Sequence, residues 1–248
     1  MTNLEDYTEK IMHTFSIGTR FKGVKVEKEY WKVKLPNGKT GYLEDQDLYE
    51  IKPIVKESLE QLRESIIATS KKFLNFPYSW GGRTTYSELF GNISSVDCSG
   101  MINVCFLAHG LQIPRMSKDQ FLHALEIKDG TTLQPGDLIF FASVLKNPNI
   151  NPYKIFNKHP LYIDHVMMYI GNDELIESAG SNLNVRIINC KKRFGKPCSQ
   201  ITSGDIITSN NHDFYIYFAT FFTSEMIQSL RDDALKNIYP ELETYGSR

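Results

Sequence analysis

Asp97-Cys98-Ser99-Gly100 heads an apolar segment whose spacing predicts a helix ending at Gly110, a residue suited to the left-handed turn that closes helices. A thiol attacks a carbonyl only as its thiolate. The free N–H groups and the dipole at a helix N-terminus favour an anion, so this position both lowers a thiol pKa and supplies donors for an oxyanion. A nucleophile also needs a base. His165 opens a segment, His165 to Ile170, that reads as a strand. Gly171-Asn172-Asp173 turns it, and Glu174 to Glu177 reads as the return strand. Across such an antiparallel pair Glu177 can sit beside His165, fix its tautomer and stabilise its cation. The expectation is a Cys98, His165, Glu177 triad on a platform of one helix against one sheet. Singly these residues say little. A lone cysteine is most often a small buried hydrophobe, as Cys105 is expected to be, and a histidine at a strand start is more often structural or exposed.

On either side of this stretch the pattern changes twice. Leu59, Leu62, Ile66, Ile67 and Phe73 recur at helical spacing between Ser58 and Leu74. Ser117-Lys118-Asp119-Gln120 fits a capping box that opens a third helix. Beyond it come strands at Asp137 to Phe141, Val185 to Ile188 and Phe214 to Phe222, and a closing helix over Ser224 to Leu235. Helices followed by strands on short turns predict an α+β class with an antiparallel sheet. Before Pro53 the texture differs. An expected short opening helix is followed by alternating Val24-Lys25-Val26 and Trp31-Lys32-Val33-Lys34-Leu35, then Pro36-Asn37-Gly38, an Asn-Gly turn. This predicts a small β-barrel. The expected domains are residues 1–55 and 56–248. Two long connections, Gly82 to Asp97 and Ser143 to Pro160, flank the chemical motifs and are expected to wall a cleft.

Composition excludes several functions. The 248 residues carry 28 Lys plus Arg and 29 Asp plus Glu, a formal net charge of -1, which leaves no basic footprint for nucleic acid. With 41% apolar and 23% charged residues the chain is too apolar for disorder. No apolar run approaches the ~20 residues of a membrane span. Cys98, Cys105, Cys190 and Cys198 contain no CxxC pair, so no metal is assigned, no cofactor is implied, and the cysteines are expected to stay unpaired in a reducing compartment. The start, Met-Thr-Asn-Leu-Glu-Asp, has no leader-like apolar core, so the expectation is a cytoplasmic monomer, with a periplasmic or exported protein as the alternative if a leader was removed.

Four segments in order then resemble the NlpC/P60 cysteine peptidases: Pro77-Tyr78-Ser79-Trp80-Gly81-Gly82, Asp97-Cys98-Ser99-Gly100, Leu133-Gln134-Pro135-Gly136-Asp137 through Phe141, and His165 through Asn172. Trp31 through Gly38 with Gly41-Tyr42 resembles a bacterial SH3 (SH3b) domain, which often precedes that catalytic domain. The resemblance implies a papain-like core. It also implies cleavage of peptidoglycan stem peptides, typically between γ-D-glutamate and a diamino acid. Carried over, Cys98 is similar to the nucleophile and His165 to the base. Glu177 falls where the family commonly has His. Tyr78 resembles the tyrosine lining the pocket, and Asp97 the acid that takes the free amine of L-Ala. Ser99 either donates to substrate or caps the helix. Arg83 either binds a substrate carboxylate or is solvated, and Arg115 is read as a structural ion pair or a binding group. Trp31 and Trp80 are expected to pack. The SH3b unit is expected to narrow the site from one side. Two other functions stay open: a thiol acyltransferase related to transglutaminases, and a binding protein with little catalysis.

Overall fold

Apolar residues on both faces of the strands in the second half of the chain require a core on each side of the sheet they form. The computed structural model describes residues 17–35, 38–52, 54–84, 95–144, 154–156, 159–180, 183–209 and 212–238. At the N-terminus, β1 (Lys22–Glu27), β2 (Tyr30–Lys34) and β3 (Thr40–Glu44) form an antiparallel meander. Pro36 and Asn37 of the expected turn, and the expected opening helix within residues 1–16, lie outside the described residues. Gly38, at φ +79°, donates to the Leu35 carbonyl at 2.9 Å and closes the turn. Among the described residues no further strand joins the meander, and Val33 is its one buried apolar side chain. Three short strands do not close on themselves, so the described residues of this region form an open sheet, and the expected barrel is not shown.

The rest of the chain supplies α1 (Leu59–Lys71), β4 (Arg83–Thr84), β5 (Ser95–Val96), α2 (Cys98–Ala108), α3 (Ser117–His123), β6 (Leu125–Ile127), β7 (Leu138–Val144), β8 (Lys154–Phe156) and β9 (His159–Gly171). It continues with β10 (Glu174–Ala179), β11 (Asn184–Asn189), α4 (Cys190–Phe194), β12 (Ile206–Ser209), β13 (His212–Thr220) and α5 (Ser224–Ile238). The large sheet runs β11-β10-β9-β7-β13-β12, antiparallel throughout, with β6 added to β13 and β8 to β9. Alternation along β13 assigns Tyr215, Tyr217 and Ala219 to the core shared with the helices, and Ile216 and Phe218 to a second core beneath the other face. The α+β class with an antiparallel sheet expected from the sequence is thus present.

Local chemistry explains several boundaries. Ser58 and Gln61 make the reciprocal capping box of α1 at 3.1 and 3.0 Å, worth about 1 kcal/mol. The same device expected at Ser117 does not form, and Met116 is the N-cap of α3. Gln120, itself buried, instead donates to the Ser99 carbonyl at 3.0 Å and the Pro114 carbonyl at 2.9 Å. The connection from Ser143 to Pro160 is strand at its ends, where β7, β8 and β9 pair, while residues 145–153 and 157–158 lie outside the described residues. The link after Gly82 is likewise held at its ends by β4 and β5, with 85–94 outside.

The cysteines correct the expectation. Cys190 and Cys198 form a disulfide, while Cys98 and Cys105 are free. The pair bounds a short excursion, α4 and the turn after it, which packs into the second core with Phe194. A separation of eight residues carries no motif, which is why the sequence did not announce it.

Candidate active site

The first turn of α2 is built around Asp97. As N-cap its Oδ1 accepts from the Gly100 amide at 2.6 Å, and its Oδ2 accepts from the Gly81 amide at 2.9 Å. Arg115 grips the same carboxylate with both Nη atoms, at 3.0 and 2.8 Å, and donates to Ser99 Oγ at 3.0 Å and the Gly82 carbonyl at 3.2 Å. Gly100 is required because a Cβ there would overlap the Gly82 carbonyl oxygen. The Gly81-Gly82 segment and Pro114-Arg115 therefore hold the turn that carries Cys98.

The second half of the site comes from the β9–β10 hairpin. Asn172 and Asp173, both at positive φ, make its turn. The ladder between the two strands ends at Ile176 opposite Met168. Glu177 and His165 lie past that end, where α2 abuts both strands, and Ser178 Oγ bonds the Val96 carbonyl at 2.8 Å. His165 Nε2 meets Glu177 Oε2 at 3.0 Å. His165 also acts on the Cys98 thiol, through hydrogen bonding and charge. The structure thus brings Cys98, His165 and Glu177 together.

Charge follows from this geometry. Burial opposes ionisation of Cys98, but the hydrogen bond and charge of His165, aided by the Val166 amide, outweigh it and hold the thiol below its ordinary pKa. Burial also opposes the imidazolium, yet hydrogen bonds to Cys98 and Glu177 raise His165 to about 9. Burial disfavours the Glu177 carboxylate too, but His165 together with Arg193 and Arg186 lowers it to about 2. A thiolate–imidazolium pair with a carboxylate behind it is the state this environment favours.

The other expected residues divide. Tyr78 is half-buried beside the site, its ring against Gly180, and its ionisation is opposed by burial and then by Cys98 and Asp97. Asp97 is 8% exposed and both its oxygens are committed, so in the free protein it holds the turn and an incoming ammonium would have to share its lone pairs. Ser99 likewise spends its hydroxyl on Arg115 and Asp97. Arg83 is not at the triad: it lines a cavity of about 310 Å³ with Arg20, Asn103 and Gln112, along the side of α2. Trp80, expected to pack, is 87% exposed. Arg115 proves to be an ion-pair residue.

Two residues escaped the sequence reading. Arg186 donates to Glu177 Oε1 from Nε and Nη2, at 3.0 and 2.7 Å, and Arg193 donates to Oε2 at 3.3 Å. Arg186 was detectable, since it stands opposite Glu177 in the hairpin register and interrupts an apolar strand. Arg193 lies on α4 and carries no such signal. Asp173, Cys190 and Cys198 bring a carboxylate oxygen and two sulfurs within 4.8 Å of one another, but the sulfurs are bonded to each other, which removes them as metal ligands.

A family model described as the NlpC/P60 family matches residues 75–200. A γ-D-glutamyl-L-lysine dipeptidyl-peptidase of Bacillus cereus is 31% identical over 160 residues, covering 64% of this chain and 40% of that protein. The peptidoglycan endopeptidase RipB of Mycobacterium tuberculosis is 28% identical over 144 residues, covering 56% of this chain and 52% of that protein. The crystal structure of an NlpC/P60 family protein from Bacillus cereus superposes with a TM-score of 0.51 at 29% identity, covering 69% of this chain and 48% of that one. The chain therefore spans about half the length of the relatives it matches, or less.

Proposed function

The chain belongs to the NlpC/P60 family, and from that membership and the geometry at Cys98 we propose a cysteine peptidase that hydrolyses bacterial cell-wall stem peptides. The observation that carries this reading is the grouping of Cys98, His165 and Glu177, with Cys98 heading α2, His165 Nε2 meeting the Glu177 carboxylate at 3.0 Å, and His165 holding the thiol below its ordinary pKa. The names of the relatives, a γ-D-glutamyl-L-lysine dipeptidyl-peptidase and a peptidoglycan endopeptidase, support the substrate class. The bond cut is the amide between γ-D-glutamate and a diamino acid.

In the mechanism the Cys98 thiolate attacks the γ-carbonyl carbon. The developing oxyanion takes donors at the open end of α2. Gly100 and Met101 amides are spent on Asp97, which leaves those of Cys98 and Ser99. The C–N bond breaks as imidazolium gives its proton to the leaving amine, forming a thioester. Water, deprotonated by His165, attacks the thioester, and the thiolate departs. Glu177 holds the ring by Nε2 throughout. Tyr78 lines the pocket beside the nucleophile.

The meander Lys22–Glu44 is proposed as part of an SH3b-type unit within residues 1–55 that narrows the site, in a monomer. The Cys190–Cys198 disulfide favours an oxidising compartment, and hence an exported protein over a cytoplasmic one.

Mass spectrometry of digests of defined tri- and tetrapeptides, with and without a free N-terminal L-Ala, tests the reading. Fragments ending at γ-D-glutamate are expected from the native chain, and none from Cys98→Ala. Full turnover by Cys98→Ser would overturn the mechanism. Amide products with an added amine, at the expense of the free acid, would favour acyl transfer.

A further inference from the structure

We propose that Arg186 and Arg193 are positioning residues for the reaction, acting through Glu177 to keep its carboxylate ionised and aimed at His165. Glu177 is fully buried, with 0% of its side chain exposed, and its two oxygens are divided. Oε1 is taken entirely by Arg186, whose Nε and Nη2 grip it from the directly opposed position on β11. Oε2 is left to His165, with Arg193 Nε at the longer distance of 3.3 Å. A buried carboxylate held by one partner can rotate about its last torsion or take up a proton. One whose far oxygen is fixed by a planar fork can do neither easily.

Arg193 is itself fixed. Its guanidinium lies 4.5 Å from the centre of the Phe141 ring, and Phe141 faces His165 across the β7–β9 register. It is also carried inside the loop closed by the Cys190–Cys198 disulfide. Guanidinium groups from β11 and α4 therefore converge on one carboxylate, and Phe141 of β7 packs against the second of them. Two guanidinium groups against one carboxylate leave a surplus positive charge that the Cys98 thiolate complements. The other charged groups facing this cluster are His165 itself, Asp97 and Tyr78 on the thiol side, and Asp164 beside His165 on β9.

The inference rests on Cys98 as the nucleophile, but its test reads the thiol and not the peptide, so it stands or falls apart from the choice of substrate. Alkylation of Cys98 by iodoacetamide, in which the thiolate attacks the methylene carbon and iodide leaves, is followed against pH. Cys105 is fully buried and silent. Arg186→Lys and Arg193→Lys keep the charge and lose the fork. Each is expected to raise the pH at which alkylation of the thiolate sets in, by about one pH unit for Arg186→Lys, and to lower the alkaline edge of peptide turnover, where the imidazolium is lost, which narrows the window between them. Peptide turnover should fall by about tenfold to a hundredfold. In a Glu177→Gln background the same Lys substitutions should move the window no further. A window unchanged in folded Lys variants, or an equal shift with Glu177 already replaced, would overturn the proposal. So would variants too unstable to fold, since the arginines would then serve the fold alone.

Discussion

A carboxylate behind the catalytic imidazole binds its cation more tightly than a neutral partner would. His165 is raised to about 9, so its stabilisation is complete below its ordinary value of 6.5 and is lost as pH rises through about 9. Glu177, lowered to about 2, contributes fully above its ordinary 4.5 and loses its effect as pH falls through about 2. The pair is complete between those two ordinary values. Glu177→Gln is therefore expected to move the alkaline edge of the kcat/KM profile down by about 1–2 pH units, each worth about 1.4 kcal/mol. An alkaline edge that stays in place would show that His165 draws its basicity from Cys98 alone. This much was legible in sequence, because two-residue alternation across a tight turn fixes which side chains share a face. The guanidinium groups behind Glu177 were not, because α4 reaches the site only through tertiary packing.

At the scale of elements, the first turn of α2 depends on a close approach of backbone to backbone. A methyl group on Gly100 would meet the Gly82 carbonyl, with Asp97 and Arg115 also in contact, and neither backbone can yield without dragging Cys98. Gly100→Ala is expected to destabilise by about 2–3 kcal/mol. That corresponds to a melting temperature lower by roughly 4–12 °C for a chain of this size. Activity should fall more than stability, because the donors at the helix end move with the turn. Calorimetry and turnover on the same sample separate the two. The helix itself was visible in sequence through Asp97 and Gly110. The start of α3 was read one residue late: Gln120 looked like a cap, and the carbonyls of Ser99 and Pro114 claimed it. The short strands β6 and β12 were missed because three or four residues at a sheet edge carry too little alternation to register.

In the whole molecule, the N-terminal region is tied to the catalytic core by arginines. Arg231 on α5 is 1% exposed and donates to the Lys52 carbonyl at 2.9 Å, the Tyr49 hydroxyl at 3.2 Å and the His109 carbonyl at 3.0 Å. Arg20 reaches the Ala234 carbonyl at 3.1 Å on the same helix. Arg231→Leu leaves buried acceptors without donors and is expected to lose about 3 kcal/mol. Limited proteolysis should then cut first near Tyr49 to Glu57, and an unchanged digestion pattern would mean that the junction is held elsewhere. The two-sided sheet has a further effect on sulfur chemistry. Cys98 packs on the side of the helices, and the Cys190–Cys198 bond is sealed into the opposite core. Exchange between a thiolate and a disulfide requires in-line approach of one sulfur to another. The strands between them bar that approach, so an activated thiolate and an oxidised cystine coexist in one chain without scrambling, and the nucleophile is protected from its own neighbours.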